Sequence, residues 1–508
     1  MAKRGAAEPQ RILTRRDWLY IGALTLAAAL FRFVNLGFPH EIVFDETYFA
    51  KFAHDYLTDT KFFDAEPPLA KFIIAFGEWL TGANPEASPL VHPYGWRIMT
   101  ALFGTAVIPL MYLFVKRLFG GFKMPLFAAV IALFDGLLLV ESRVAVIDIF
   151  VVFFNLLTYL LFLLHLQAKT FKHSFGWLAL TGVSFGLALS VKWITLAFIA
   201  PAVLLLLILS QSGRKWVRKL FKVRSRKALF ASLGASRTRL HNPLTYLLLL
   251  GVVPALLYGL IFSFHVPFDS THESIWGIHK QIFNYHHTLK ASHPYGSEWY
   301  TWPLMLRPIA YYFHADGNSW SAIVAMGNPL IWWSGVLALI YATWHFVQRR
   351  SLAIGLVVVA FATHFLPWAL IDRVLFIYHY LGGLPFMMIA LAFALSKSWD
   401  WQPKDNAGQV GIWVVLFAVG GILGGLLARS VIPGVLPAAA FVLGALLVMV
   451  PIIVFAITDV RKLTWGQKQS ITVVALFGLA FLFFLPIWTG IGLSSQDYYR
   501  HMWLRSWI

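Results

Sequence analysis

Asp45 and Glu46 stand side by side just after the first long apolar stretch of the chain. Carboxylates at the edge of hydrocarbon are costly, and in membrane proteins they tend to mark function. A carboxylate facing outward beside a membrane cavity can take the proton of a hydroxyl as that hydroxyl attacks a sugar carbon. One base suffices when the leaving group is a phosphate, which departs without help from an acid. Hydrolysis of an ordinary glycosidic bond would need two carboxyls in a set geometry. The pair also suits the start of a helix, where acidic residues cap free amides and face the positive dipole end. About twenty residues on comes Phe63-Asp64-Ala65-Glu66-Pro67-Pro68-Leu69-Ala70-Lys71. Its prolines fit a first helical turn, with Glu66 at the positive end. Lys71 could reach a phosphate or snorkel to the interface.

Three further breaks in the apolar pattern carry charge. Glu141-Ser142-Arg143 with Asp148 separates two apolar runs. Arg143 could grip a phosphate through its two-pronged guanidinium, or pair with Glu141 or Asp148 to make the break tolerable. Lys192-Trp193 reads as an interfacial anchor, with Trp193 a candidate for a cavity wall. Asp372-Arg373 opens a run that ends Tyr378-His379-Tyr380. Arg373 could clamp a lipid phosphate or form a weak surface pair with Asp372. His379 lies about one and a half turns further on, toward another direction. Trp299-Tyr300-Thr301-Trp302-Pro303 and Arg307-Pro308 with Tyr311-Tyr312 supply aromatics that can hold sugar rings or form an interfacial belt. His272, His279 and His286 recur every seven residues. They lack the close i,i+4 arrangement of helical zinc sites, so a hydrogen-bonded stripe is favoured over a metal. A divalent ion near Asp45, Glu66 or the histidines stays open.

These residues must be positioned by membrane helices. Of 508 residues, 59% are hydrophobic and 13% charged, with a mean hydropathy of +0.70. The apolar runs are long and continuous, as helices require, rather than short and alternating as in a barrel. Thirteen spans are expected near 17–36, 94–116, 124–140, 146–165, 175–190, 192–210, 244–263, 323–346, 352–371, 374–395, 411–428, 434–457 and 471–490. The net charge of +18 does not argue for nucleic acid, because the basic residues gather in alternate loops as membrane topology dictates. The densest cluster lies in a loop over 211–243, expected on the cytoplasmic side and against anionic lipid. The first span reads as a retained signal anchor with its N-terminus in the cytoplasm. Two long loops then face outward, 38–93 and 264–322. Within the first, the periodicity predicts an amphipathic helix over 47–57, with Tyr48, Phe49, Phe52, Ala53, Tyr56 and Leu57 on one face and Lys51, His54 and Asp55 away from it. With no cysteine, disulfides and thiolate metal sites are excluded. The chain reads as a single membrane domain over 1–508.

Taken in order, Phe44-Asp45-Glu46-Thr47-Tyr48-Phe49, Glu66-Pro67-Pro68-Leu69-Ala70-Lys71, Trp96-Arg97, Glu141-Ser142-Arg143 with Asp148, and Gly186 through Lys192-Trp193 resemble the protein O-mannosyltransferase family. Arg307-Pro308 with Tyr311-Tyr312, Gly327-Asn328-Pro329, and Arg373 through Tyr380 continue the likeness. These are C-type glycosyltransferases that use a polyprenyl-phosphate sugar. The resemblance implies an all-α polytopic membrane protein, a bundle of about 11–13 transmembrane helices with amphipathic helices in the first external loop. It implies Asp45 as base, Glu46 as its companion and Arg143 as a residue needed for activity. Transfer would run with inversion from polyprenyl-phosphate mannose to Ser or Thr of an exported protein, on the outer face of the cell membrane, with the secretion machinery a candidate partner. On this reading Arg143 and Arg373 neutralise the donor phosphate, with Arg307 and Lys71 as further candidates, while Glu66, Asp148, Trp193 and His379 line the cavity or meet the acceptor. Two departures stand out. Many members carry His where this chain has Glu66, and the large soluble lumenal insert of eukaryotic members is missing, which points to a bacterial enzyme. Related enzymes that transfer sugar to lipids or glycans share the acidic pair, so such acceptors are the alternative. A lipid or solute transporter is the rival class; there, charges gather at paired midplane interruptions, not in external loops.

Overall fold

Helix α1 (Arg15–Phe33) begins at a capping box in which Thr14 and Asp17 satisfy each other's free amides. Asp17 is buried, and it accepts from Tyr112 Oη at 2.6 Å and Lys116 Nζ at 2.9 Å. One carboxylate thus starts α1 and fastens it to α4 (Tyr94–Phe119). The computed structural model describes residues 11–210, 233–234, 240–317, 319–401 and 463–508. The expected spans 411–428 and 434–457, and most of the basic 211–243 loop, lie outside the described residues.

Between α1 and α4, the 38–93 loop folds into α2 (Glu46–Leu57) and α3 (Leu69–Thr81). α3 rests on α4 at a close approach: a Cβ on Gly77 would meet the Gly95 carbonyl oxygen at 2.7 Å. The bundle continues with α5 (Lys123–Leu133), α6 (Gly136–Glu141), α7 (Asp148–Gln167), α8 (Phe171–Leu189) and α9 (Ile199–Leu209). α7 packs on both α4 and α8 and forms the centre of the core. Among the described residues, six helical segments are long and apolar enough to cross a membrane: Tyr94–Phe119, Asp148–Gln167, Pro243–Phe268, Pro329–Arg349, Leu352–Leu370 and Trp465–Thr489.

Helix stands at each expected span within the described residues, with informative breaks. The 124–140 run is split because Asp135 leaves the helix to cap α6, accepting from Leu138 N at 2.9 Å and Trp332 Nε1 at 2.7 Å. The 192–210 run opens as a 3-10 turn, Trp193–Phe198. The 323–346 run starts on a strand, and its helix begins only at Pro329 behind the Asn328 cap. The 374–395 run has a 3-10 segment, Ile377–Gly382, before its helix at Leu384–Trp399.

The 264–322 loop holds a helix, Ile275–Thr288, and leads into a feature absent from the sequence reading, an antiparallel hairpin of β1 (Ile309–Asp316) and β2 (Ser319–Ala325). Its register breaks between Ala310 and Tyr312. The outer strand β2 exchanges two backbone bonds with Leu493, through Trp320. The 38–93 and 264–322 loops are tied together by Phe62 N donating to Phe268 O and Ser270 N to Phe62 O, at 2.8 and 2.9 Å.

The expected face of α2 needs correction. Tyr48 and Leu57 are 57% and 43% exposed, whereas Asp55 is buried with Phe49, Ala50 and Ala53. His54 turns toward α3, where its Nδ1 stands 3.5 Å from Glu78 Oε2.

Candidate active site

The loop leading into α2 is organised by Arg97 on α4. Its guanidinium donates to the carbonyls of Leu36, Pro39 and Glu41 and grips Glu46, with Nε–Oε1 at 2.7 Å and Nη2–Oε2 at 2.8 Å. Glu46 also accepts from Val43 N and Ala145 N, at 3.1 and 2.9 Å. This fully buried carboxylate is therefore satisfied on every side and fixes the start of α2. Asp45, one residue earlier, makes no side-chain capping bond. It is half-buried, within electrostatic reach of Lys192, Asp148, Asp64 and Glu66. Burial raises its proton affinity, Lys192 opposes the rise, and the neighbouring carboxylates add to it, so its pKa is pushed up to about 7.

Lys192 follows the end of α8. The backbone bond from Leu69 N to Ser190 O, 3.0 Å, brings the start of α3 to that same point. The Lys192 amine donates to Asp148 at 3.0 and 3.2 Å and lies 3.8 Å from Glu66 Oε1 and 5.5 Å above the Tyr378 ring. Burial favours its neutral form, but Asp148 and Glu66 outweigh that and hold it charged. Burial likewise raises the proton affinity of Glu66 against the pull of Lys192.

Glu66, Lys192, Trp193, His286, Trp368 and Arg373 line a cavity of about 360 Å³. Trp193 also lines a separate apolar groove of about 390 Å³ walled by Phe185, Leu189, Leu250, Pro254 and Tyr258. Arg373 also borders a polar cavity of about 430 Å³ with Ser297, Glu298 and Asp372. Two cations beside an apolar groove can neutralise the phosphate of a lipid whose tail lies in the groove. An uncapped carboxylate near them can accept a proton. Among the described residues, no group of three or more His, Asp or Glu side chains is placed to hold a metal ion.

The family model described as dolichyl-phosphate-mannose-protein mannosyltransferase matches residues 22–268, and that of the C-terminal four-span region of protein O-mannosyltransferase matches 271–427. The polyprenol-phosphate-mannose–protein mannosyltransferase of Corynebacterium glutamicum is 32% identical over 496 residues, covering 87% of this chain and 81% of its own. The chain belongs to the protein O-mannosyltransferase family. The Mycobacterium tuberculosis relative of the same name is 26% identical over 75% of this chain and 81% of its own. The fold is that of the C-type glycosyltransferases. The S. cerevisiae Pmt1-Pmt2 complex bound to the sugar donor superimposes with a TM-score of 0.70 at 16% identity, over 99% of this chain and 95% of that one. Apo ArnT of Cupriavidus metallidurans gives 0.55 at 17%, over 93% and 78%.

Within this O-mannosyltransferase the motif residues separate by what they touch. Glu66, Trp193 and Arg373 line the cavity, and Asp148 grips Lys192 behind it. Trp193 is oriented by donating from Nε1 to Tyr258 Oη at 3.0 Å. Arg143 has a different employment. Its Nη1 donates to the carbonyls of Phe31, Arg32 and Val34 and its Nη2 to Asn35, all at 2.9–3.0 Å, so it caps the C-terminal end of α1. Among the described residues it makes no ion pair with Glu141 or Asp148, and it is not in the lining of the cavity of Lys192 and Arg373. Lys71 is fully buried and held by Asp64 and by the carbonyls of Glu66 and Pro67, the latter two at 2.7 and 3.2 Å. It orders the Pro-Pro segment instead of snorkelling or facing the cavity. Arg307 donates to Pro294, Ser506 and Ile508 carbonyls and stacks over Tyr295, apart from the cavity lining. His379 is buried between Trp302 and Trp368 and bonds its own turn at Phe376 O, so it backs the cavity wall. The reading of the sequence took Lys192 as an interfacial anchor, Arg97 as part of a motif and His286 as part of a histidine stripe, and gave none of them a place in the site. The signal for Lys192 was present in a lone lysine between two apolar runs, with the lone acid Asp148 available to pair with it.

Proposed function

We propose that this chain transfers mannose from a polyprenyl-phosphate carrier to Ser or Thr hydroxyls of exported polypeptides, with inversion, on the extracytoplasmic face of the membrane. Asp45 accepts the hydroxyl proton as the oxygen attacks C1 of the sugar. The bond from C1 to the phosphate oxygen breaks, and polyprenyl phosphate leaves with that electron pair. Lys192 and Arg373 neutralise the charge that grows on the departing phosphate, where fixed electrostatics lowers the barrier most. The carrier's tail follows the apolar groove from Trp193. Asp148 and Glu66 keep Lys192 charged and in place.

The observation that carries this reading is an uncapped Asp45 within electrostatic reach of Lys192, which is held by Asp148 and Glu66 at a cavity that shares Trp193 with an apolar groove. The names of the corynebacterial and mycobacterial relatives support the donor and a protein acceptor. The test is incubation of the purified chain with labelled polyprenyl-phosphate mannose and a Ser/Thr peptide. Label is expected on a peptide hydroxyl in α linkage, and Asp45→Asn is expected to lower the rate by about 10²–10⁴-fold with the protein folded and donor binding retained. Label on a lipid or glycan alone would replace the acceptor. Vectorial movement of the lipid without transfer would replace the enzyme by a transporter.

A further inference from the structure

The residue before Asp45 has an unfavourable backbone. Phe44 lies at φ 48°, the left-handed region that bulky L residues rarely enter. Such conformations persist only where the surroundings impose them, and they gather at functional sites. On the C-terminal side the turn is closed by Glu46 N donating to Val43 O and Thr47 N to Phe44 O, at 3.0 and 3.2 Å. The Phe44 side chain is held from elsewhere. Its ring stacks on Tyr311 with centroids 4.1 Å apart and planes at 10°, and Tyr378 meets it edge-on at 6.3 Å.

Tyr311 comes from β1, at the register break between Ala310 and Tyr312. Such an irregularity re-aims a side chain out of the ladder. Its hydroxyl donates to Glu141 Oε1 at 2.5 Å, at the end of α6. Glu141 is fully buried, and its second oxygen has no hydrogen-bond partner among the described residues. A carboxyl is costly to bury for one bond. That bond and the ring stack together connect three segments distant in sequence, and the stack ends on Phe44, the residue adjoining Asp45.

We infer that Tyr311, anchored by Glu141, is a positioning residue that pins Phe44 in its left-handed conformation and so sets the direction of the Asp45 carboxylate. The inference rests on the reading of Asp45 as the base. Neither ring touches the cavity lined by Glu66, Lys192 and Arg373, so the latch acts on proton acceptance and not on donor binding.

The experiment measures kcat and donor KM for the full chain with polyprenyl-phosphate mannose and a Ser/Thr peptide. Tyr311→Phe keeps the ring and removes the hydroxyl. It is expected to lower kcat about tenfold, as small misplacements of a reacting group do, with donor KM unchanged. Glu141→Leu is expected to repeat this loss, and Glu141→Gln, which still offers an oxygen to Tyr311, to recover most of it. In a Phe44→Leu background, which lacks the stacked ring, Tyr311→Phe is expected to cost nothing more, because coupled residues are non-additive. Wild-type kcat in Tyr311→Phe would overturn the inference. So would a rise in KM alone, or a full additional loss in the Phe44→Leu background. Full activity of Asp45→Asn in the same assay would instead overturn the assignment of the base.

Discussion

Adjacent carboxylates at a helix start point in different directions, and their surroundings then give them different proton affinities. Glu46 turns inward onto Arg97 and two backbone amides, while Asp45 makes no bond to cap its helix and lies within electrostatic reach of Lys192. Burial first, and then the balance of Lys192 against Asp148, Asp64 and Glu66, raises the Asp45 pKa to about 7. A general base works unprotonated and is most effective with a pKa near the working pH. The rate kcat/KM should therefore rise with pH through about 7 and level off above it. The sign of each neighbour's effect follows from its charge. Glu66→Gln removes a negative charge that disfavours the ionised base, so the acid limb should move to lower pH. Lys192→Met removes the cation that favours ionisation, so the limb should move up. A pH profile of kcat/KM for the three proteins measures both displacements, and a shift of either in the opposite direction would show that Asp45 is not the titrating group.

At the scale of elements, charged side chains do much of the joining. Arg143 supplies four hydrogen bonds to the frayed end of α1. Arg143→Met leaves those carbonyls without their donor, and it should destabilise the protein by about 1–3 kcal/mol while donor KM stays unchanged. Unfolding in detergent beside a donor titration separates this from a phosphate role, which would raise KM at constant stability. Between α2 and α3, Glu78 is fully buried with neither oxygen hydrogen-bonded among the described residues, 3.5 Å from His54. Burial, aided by Asp55, raises its pKa from 4.5 to about 9. A folded-state pKa above the unfolded one means that folding takes up a proton. The stability so gained is complete below pH 4.5 and is lost as pH rises through about 9. Glu78→Gln should remove that loss, so the stability advantage of the variant should grow from pH 5 to pH 9 in thermal unfolding; a constant difference would refute it. The sequence showed α2 and α3 but not these contacts. Periodicity located the helices, yet the α2 face was assigned on the assumption that apolar side chains alone turn inward, and Asp55 and His54 broke it. Arg143 and Lys192 illustrate a second limit. Backbone carbonyls carry no residue signature, so a sequence does not reveal which cation they occupy and which remains near a cavity. The β1–β2 hairpin was missed because its short alternation lies in an aromatic-rich loop that reads equally well as an interfacial belt.

Across the whole molecule, long apolar runs made the helical membrane architecture legible, and the ordered motifs made the family legible. The site was only partly so, since Glu66, Lys192 and Arg373 come from three distant segments that share the lining of one cavity. What the charge pattern adds is a direction. Basic residues gather in alternate loops, and the rule that such loops stay inside predicts that the 38–93 loop, and with it Asp45, faces outward. The chain contains no cysteine, so single cysteines can be placed without background labelling. Lys61 is exposed between α2 and α3, and Lys172 is exposed in the first turn of α8, at the opposite side in this topology. In intact cells a membrane-impermeant maleimide should label Lys61→Cys and leave Lys172→Cys untouched until the membrane is permeabilised. Both changes replace exposed lysines away from the cavity, so each variant should still transfer mannose and report on the active form. The reverse labelling pattern would turn the molecule over. The cavity of Lys192 and Arg373 would then open to the cytoplasm, and transfer to polypeptides on the outer face would no longer be tenable.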